Sequence, residues 1–124
     1  METLDHRTRR RHERVRLGGT ALLIVDPRRG SIGAKGKLID LSEGGCQLRL
    51  LRRVDAHLAG LVRLSLAGKA LWLPATTASV RADSNGWTVR CAFNRLSAEK
   101  RDALRELLFE LSLTRGPLAP NRRH

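Results

Sequence analysis

The sequence predicts an all-β fold: about six antiparallel strands closed, or nearly closed, into a barrel, with one helix at the C-terminal end. Three observations predict it. Short runs in which apolar and polar residues alternate, the period of a half-buried strand, recur between residues 20 and 93. Turn signals separate these runs. After Asn94 the apolar period changes from two to three and four residues, the stripe of a helix with one buried face. Closure follows because so small a sheet would otherwise expose two unpaired edges.

Each element has its own warrant. Residues 1–16 hold six arginines against three acidic residues and too little apolar surface to fold alone, so they read as a flexible basic arm. Thr20 to Val25 is β-prone and stops at Asp26-Pro27. Arg28 to Lys37, glycine-rich with four positive charges and no acid, reads as a loop or wide turn. Leu38 to Leu41 leads into the turn Ser42-Glu43-Gly44-Gly45. Beyond it Cys46, Leu48 and Leu50 alternate with Gln47, Arg49 and Leu51. Residues 52–60 lack a period and read as a crossing. Val62, Leu64 and Leu66 mark the next strand, and Ala67-Gly68-Lys69 reverses the chain. Leu71 to Ala82 is extended with a bend expected at Pro74. Asn85-Gly86 is a hairpin signal because both residues tolerate positive φ. Trp87, Val89, Cys91 and Phe93 share one face of the last strand. Leu104, Leu107, Leu108 and Leu111 give the helix its stripe, Ser97 its N-cap, and Glu99 complements its dipole. The barrel with its helix spans residues 17–112, and 113–124 read as a flexible tail.

Composition narrows the function. The 124 residues form one domain with a modest core, and 24 basic against 12 acidic side chains leave a formal charge of +12. Such a surface attracts nucleic acid, anionic head groups or phosphate-rich small molecules. The excess is arginine, which stays charged and grips phosphate with a planar fork. Cys46 and Cys91 fall in apolar alternations and read as buried free thiols. Four scattered histidines give no metal-ligand spacing, so neither metal nor cofactor is expected. No apolar run is long enough to span a bilayer and the start is charged, which places the chain in the cytoplasm; electrostatic contact with a membrane surface stays compatible with the charge.

Two segments carry the chemistry. Arg9-Arg10-Arg11-His12-Glu13-Arg14 offers several guanidinium forks, and Asp40-Leu41-Ser42-Glu43-Gly44-Gly45 offers a carboxylate, a hydroxyl and accessible backbone. A guanine dinucleotide needs both kinds of group. Its phosphodiesters and its O6/N7 edge suit arginine, and its N1/N2 donors suit a carboxylate. Asp40 can accept from guanine or orient an arginine. Ser42 can donate to a phosphate, and Gly44 and Gly45 can supply N–H groups in a nest-like turn.

Arg10-x-x-x-Arg14 followed by Asp40-x-Ser42-x-x-Gly45 resembles the two-part signature of PilZ domains, bacterial receptors for cyclic di-GMP. The resemblance covers about residues 7–112 and implies a six-stranded antiparallel barrel of PilZ type with a C-terminal helix. It implies that Arg10 and Arg14 hold the bases and phosphates of cyclic di-GMP, and that Asp40, Ser42 and Gly45 line the ligand from the barrel. Arg9 resembles the variable position that influences whether one ligand or a stacked pair is held, and Arg11 adds a phosphate contact. No output domain is attached, so a downstream protein partner is implied without being named.

Other functions fit less well. No nucleophile comes with an evident base, so the chain reads as a receptor and not an enzyme. A small basic barrel binding single-stranded nucleic acid through Arg28, Arg29, Lys35 and Lys37 is the runner-up. It lacks aromatics for stacking, with no Tyr and only two Phe, and Trp72 and Trp87 read as core or half-buried sheet positions.

Overall fold

The computed structural model of the chain describes residues 15–16, 18–25 and 31–115. Its elements are β1 (Val15–Arg16), β2 (Thr20–Val25), β3 (Ile32–Leu41), β4 (Gly45–Leu50), β5 (Ala59–Leu66), β6 (Lys69–Asp83), β7 (Gly86–Phe93) and helix α1 (Ala98–Arg115). Six strands pair in the order β3-β2-β5-β6-β7-β4, and a further β3–β4 pairing closes the ring. Every pairing is antiparallel. The two-residue β1 is a short addition beside the far end of β3. The fold is therefore the expected six-stranded closed barrel with a C-terminal helix.

Closure depends on β3 serving two neighbours. Its first half pairs with β2, from Ile32 against Val25 to Lys37 against Thr20. Its second half pairs with β4, from Gly36 against Leu50 to Leu41 against Cys46, with a bulge between Leu38 and Asp40. The segment read as a loop is thus a strand from Ile32 onward. Composition hid it: Lys35 and Lys37 point to solvent, and the inward residue Ala34 is small. Gly36 lies so close to β4 that an added Cβ would stand 2.0 Å from the carbonyl oxygen of Arg49.

The inward residues of all strands meet in one core, in which Leu23, Leu38, Leu48, Val62, Leu73 and Val89 are fully buried. Helix α1 adds Leu104, Leu107 and Leu111 to it. Burying a leucine contributes about 1.5–3 kcal/mol, so this stripe fixes the helix to the barrel. Ser97 caps it as expected: its Oγ accepts from Lys100 N at 3.2 Å and its carbonyl accepts from Arg101 N at 2.9 Å.

The crossing before β5 is held by one buried threonine. Thr77 Oγ1 donates to the Asp55 carbonyl at 2.8 Å and accepts from Leu58 N at 2.9 Å. Its backbone exchanges two further bonds with His57 and Leu58. Thr77 sits at the irregularity of β6, between Thr77 and Ser79, whereas Pro74 lies within regular pairing against Leu61. The register shift thus falls at the residue that serves the crossing as well as the ladder. The β6–β7 hairpin falls at the expected Asp83–Gly86 turn. Ser84 and Asn85 form its loop and Gly86 already pairs with Asp83, at φ 137°. Asp83 organises that loop, accepting from Thr88 Oγ1 at 2.7 Å and Asn85 N at 2.9 Å. These bonds, with the Arg49 guanidinium nearby, hold its carboxyl below the usual carboxylate range.

Cys46 and Cys91 are free, buried and directly opposite each other on β4 and β7. A hydrogen bond between the thiols, reinforced by burial, pushes the Cys46 pKa up.

Candidate functional site

The turn between β3 and β4 is built from its own polar groups. Ser42 N donates to Gly45 O at 2.9 Å, closing the turn as the barrel ladder begins. The Ser42 hydroxyl accepts from Gly44 N at 3.2 Å and points its hydrogen toward Gly45 O at 3.4 Å. With Ser42 only 7% exposed, this hydroxyl sits inside the turn. The N–H of Gly44 is therefore engaged by Ser42, where the sequence suggested a free donor in a nest.

Neighbouring elements pin the turn on two sides. Phe93 N, at the end of β7, donates to Gly44 O at 2.9 Å. Glu43 forms an ion pair with Arg105 Nε of α1 at 3.2 Å. Gly45 is required by proximity, since an added Cβ would meet the carbonyl oxygen of Cys91 at 2.1 Å. Reading the sequence missed Arg105 and the Cys91 carbonyl, because neither carries a local signal of its neighbour. Only the register of β4 with β7 and the docking of α1 bring them to the turn.

Asp40 is half-buried near the end of β3, just after the bulge. Bulges re-aim the residues that follow them. Its backbone partner on one side is Gln47, and on the other it is Arg16 of β1, with Val15 opposite Leu41. The chain thus enters the barrel beside Asp40 and the turn. Arg9, Arg10, Arg11 and Arg14 lie outside the described residues. Of the expected site residues, Asp40, Ser42, Gly44 and Gly45 come together at one rim of the barrel.

Other candidates resolve simply. Arg63 stacks over the Trp72 ring at 5.7 Å and Arg53 over the Trp87 ring at 5.8 Å, so each indole already has a cationic neighbour. Lys35 and Lys37 are exposed on β3, while Arg28 and Arg29 lie outside the described residues. Among the described residues no group of three His, Cys, Asp or Glu side chains could hold a metal ion. No helix among them is long and apolar enough to cross a membrane.

The structure is thus a closed antiparallel barrel with an Asp-x-Ser-x-x-Gly turn on its rim and a helix docked beside it. The family model described as PilZ domain matches residues 8–110, and the chain belongs to that family. Among solved structures it is similar to YcgR from Escherichia coli in complex with c-di-GMP, at TM-score 0.74 and 17% identity, covering 93% of this chain and 51% of that one. The PilZ domain of YcgR with c-di-GMP, also from Escherichia coli, matches at TM-score 0.70 and 16% identity, with 90% and 98% covered. The MrkH–c-di-GMP complex of K. pneumonia matches at TM-score 0.64 and 17% identity, with 87% and 54% covered. The chain spans about half the length of the YcgR chain first compared. Among curated proteins no match is found.

Proposed function

We propose that this chain is a non-enzymatic receptor for cyclic di-GMP, in which the arginine segment closes over the ligand against the Asp40–Gly45 turn. One observation carries the reading: β1 sets Val15 and Arg16 against Leu41 and Asp40, so the segment ending at Arg14 joins the barrel beside the turn. Family membership and the likeness to c-di-GMP complexes support it. In this reading Arg10 and Arg14 grip the phosphodiesters and guanine edges and Arg11 adds a phosphate contact. Arg9 bears on whether one dinucleotide or a stacked pair is held. Asp40 accepts guanine N–H groups. Ser42 and Gly45 shape the turn on which the ligand rests, and Gly44 brings its backbone close.

Binding neutralises the crowded arginines and costs the ordering of the arm. The surface so changed is what a downstream protein partner would read. Calorimetric titration of the folded protein with cyclic di-GMP tests the proposal, with saturable heat expected. Arg14→Ala and Asp40→Ala should each lose about 1.5–3 kcal/mol of binding, as for a removed charge-assisted hydrogen bond. Arg123→Ala should change little. Absence of saturable heat in folded wild-type protein rejects the receptor, and tight, steeply salt-dependent binding of single-stranded DNA instead would favour a nucleic-acid-binding barrel.

A further inference from the structure

We propose that Arg90 of β7 is a further ligand contact of this site, a strand-borne cation that takes a phosphodiester two strands away from Asp40. The inference rests on the receptor reading above and extends its site across three strands.

Register places Arg90 there. Asp40 pairs with Gln47 of β4, and Gln47 pairs with Arg90 of β7. Cys46 and Leu48 on one strand, and Val89 and Cys91 on the other, are buried. Gln47 and Arg90 therefore point outward, in one row that begins at Asp40. Adjacent strands lie about 4.8 Å apart, so Asp40 and Arg90 backbones are separated by about 10 Å, and a long flexible arginine stem shortens that gap.

The neighbouring row toward the turn is low. It consists of Gly45, which has no side chain, opposite Ala92, which carries one exposed methyl. Together they leave a shallow shelf with Asp40 and the turn at one end and Arg90 along its border. A planar base edge held by Asp40 would direct the sugar-phosphate ring of the same ligand over that shelf. A guanidinium at its border matches a phosphodiester with two parallel N–H donors.

Availability separates Arg90 from other cations nearby. Arg49, in the next row, is committed to Asp83 at 3.4 Å, and Arg105 to Glu43 at 3.2 Å. Arg90 is exposed and, among the described residues, takes part in no ion pair or side-chain hydrogen bond. An exposed arginine with no acid beside it keeps its full donor set for an arriving anion. Arg81, on β6 opposite Thr88, is also exposed but lies one row further from the turn. It serves as the matched control for net charge.

The test is calorimetry with cyclic di-GMP on wild type, Arg90→Ala, Arg90→Lys and Arg81→Ala, each verified as folded by circular dichroism. Arg90→Ala should weaken binding about tenfold or more. Arg90→Lys should recover only part of it, because the charge returns without the fork. Arg81→Ala should stay within about twofold, as expected for a screened charge at longer range. If wild type binds and Arg90→Ala binds equally well, this inference is overturned and the receptor reading stands. Equal losses in Arg90→Ala and Arg81→Ala would also overturn it, since net charge alone would then account for the effect. If folded wild type does not bind, the receptor reading itself falls, and this extension with it.

Discussion

Single atoms decide the shape of the rim. A methyl group on Gly45 would have to displace the Cys91 carbonyl of β7, which is backbone and cannot swing aside. Gly45→Ala should therefore cost about 1–3 kcal/mol in chemical denaturation, the range for an overpacked site. Ser42→Ala leaves the backbone bond to Gly45 intact and removes the hydroxyl that accepts from Gly44 N and donates to Gly45 O. Its cost should be about 1 kcal/mol. The order of the two effects is the informative outcome. A larger loss from Ser42→Ala would mean that the hydroxyl, and not strand proximity, holds the turn. The glycine in the Asp-x-Ser-x-x-Gly pattern thus has a packing reason that stands apart from any ligand, and the pattern alone does not disclose it.

Among the elements, β5 and β7 follow from alternation of apolar and polar residues, α1 from leucines spaced three and four apart, and β2 from a β-prone apolar run stopped by Asp26-Pro27. The first half of β3 escapes the same reading. Gly33, Ala34, Lys35, Gly36 and Lys37 contain no large apolar side chain, yet Gly36 is needed for contact with β4. β1 was hidden for a different reason: two residues have no period at all, and only pairing with Leu41 and Asp40 makes them a strand. The rim turn was legible, but its supports on β7 and α1 were not, since tertiary register brings them there. Helix α1 shows the converse, a stripe whose role was plain. Leu107→Ala should cost about 2–5 kcal/mol, the range for a leucine truncated in a core. Ser97→Ala should cost about 1 kcal/mol through loss of the cap. Urea denaturation followed by circular dichroism measures both, and the larger loss is expected at Leu107.

At the scale of the molecule, closure leaves no free edge among β2 to β7 and makes the core inaccessible from the strands. The cysteine pair reports on this directly, because Cys46 and Cys91 are 3% and 2% exposed and lie in the same buried cluster. Both thiols should resist a maleimide or disulfide reagent in native protein and react together on global unfolding. Rapid labelling of either thiol without loss of circular dichroism would show that β4 and β7 separate locally. Closure also gives β1 an importance beyond its length. A flexible segment that must find a distant surface pays for the search in loop entropy, which grows as the connection lengthens. Here the connection has almost no length: Arg14 precedes Val15 by one peptide bond, and Val15 is already registered opposite Leu41. In the proposed receptor, the arginine segment and the turn would therefore meet a shared ligand as parts of one reagent, at the millimolar effective concentrations typical of short tethers. Residues inserted between Arg14 and Val15 would dilute that reagent gradually, by about 0.6 kcal/mol for each doubling of the tether.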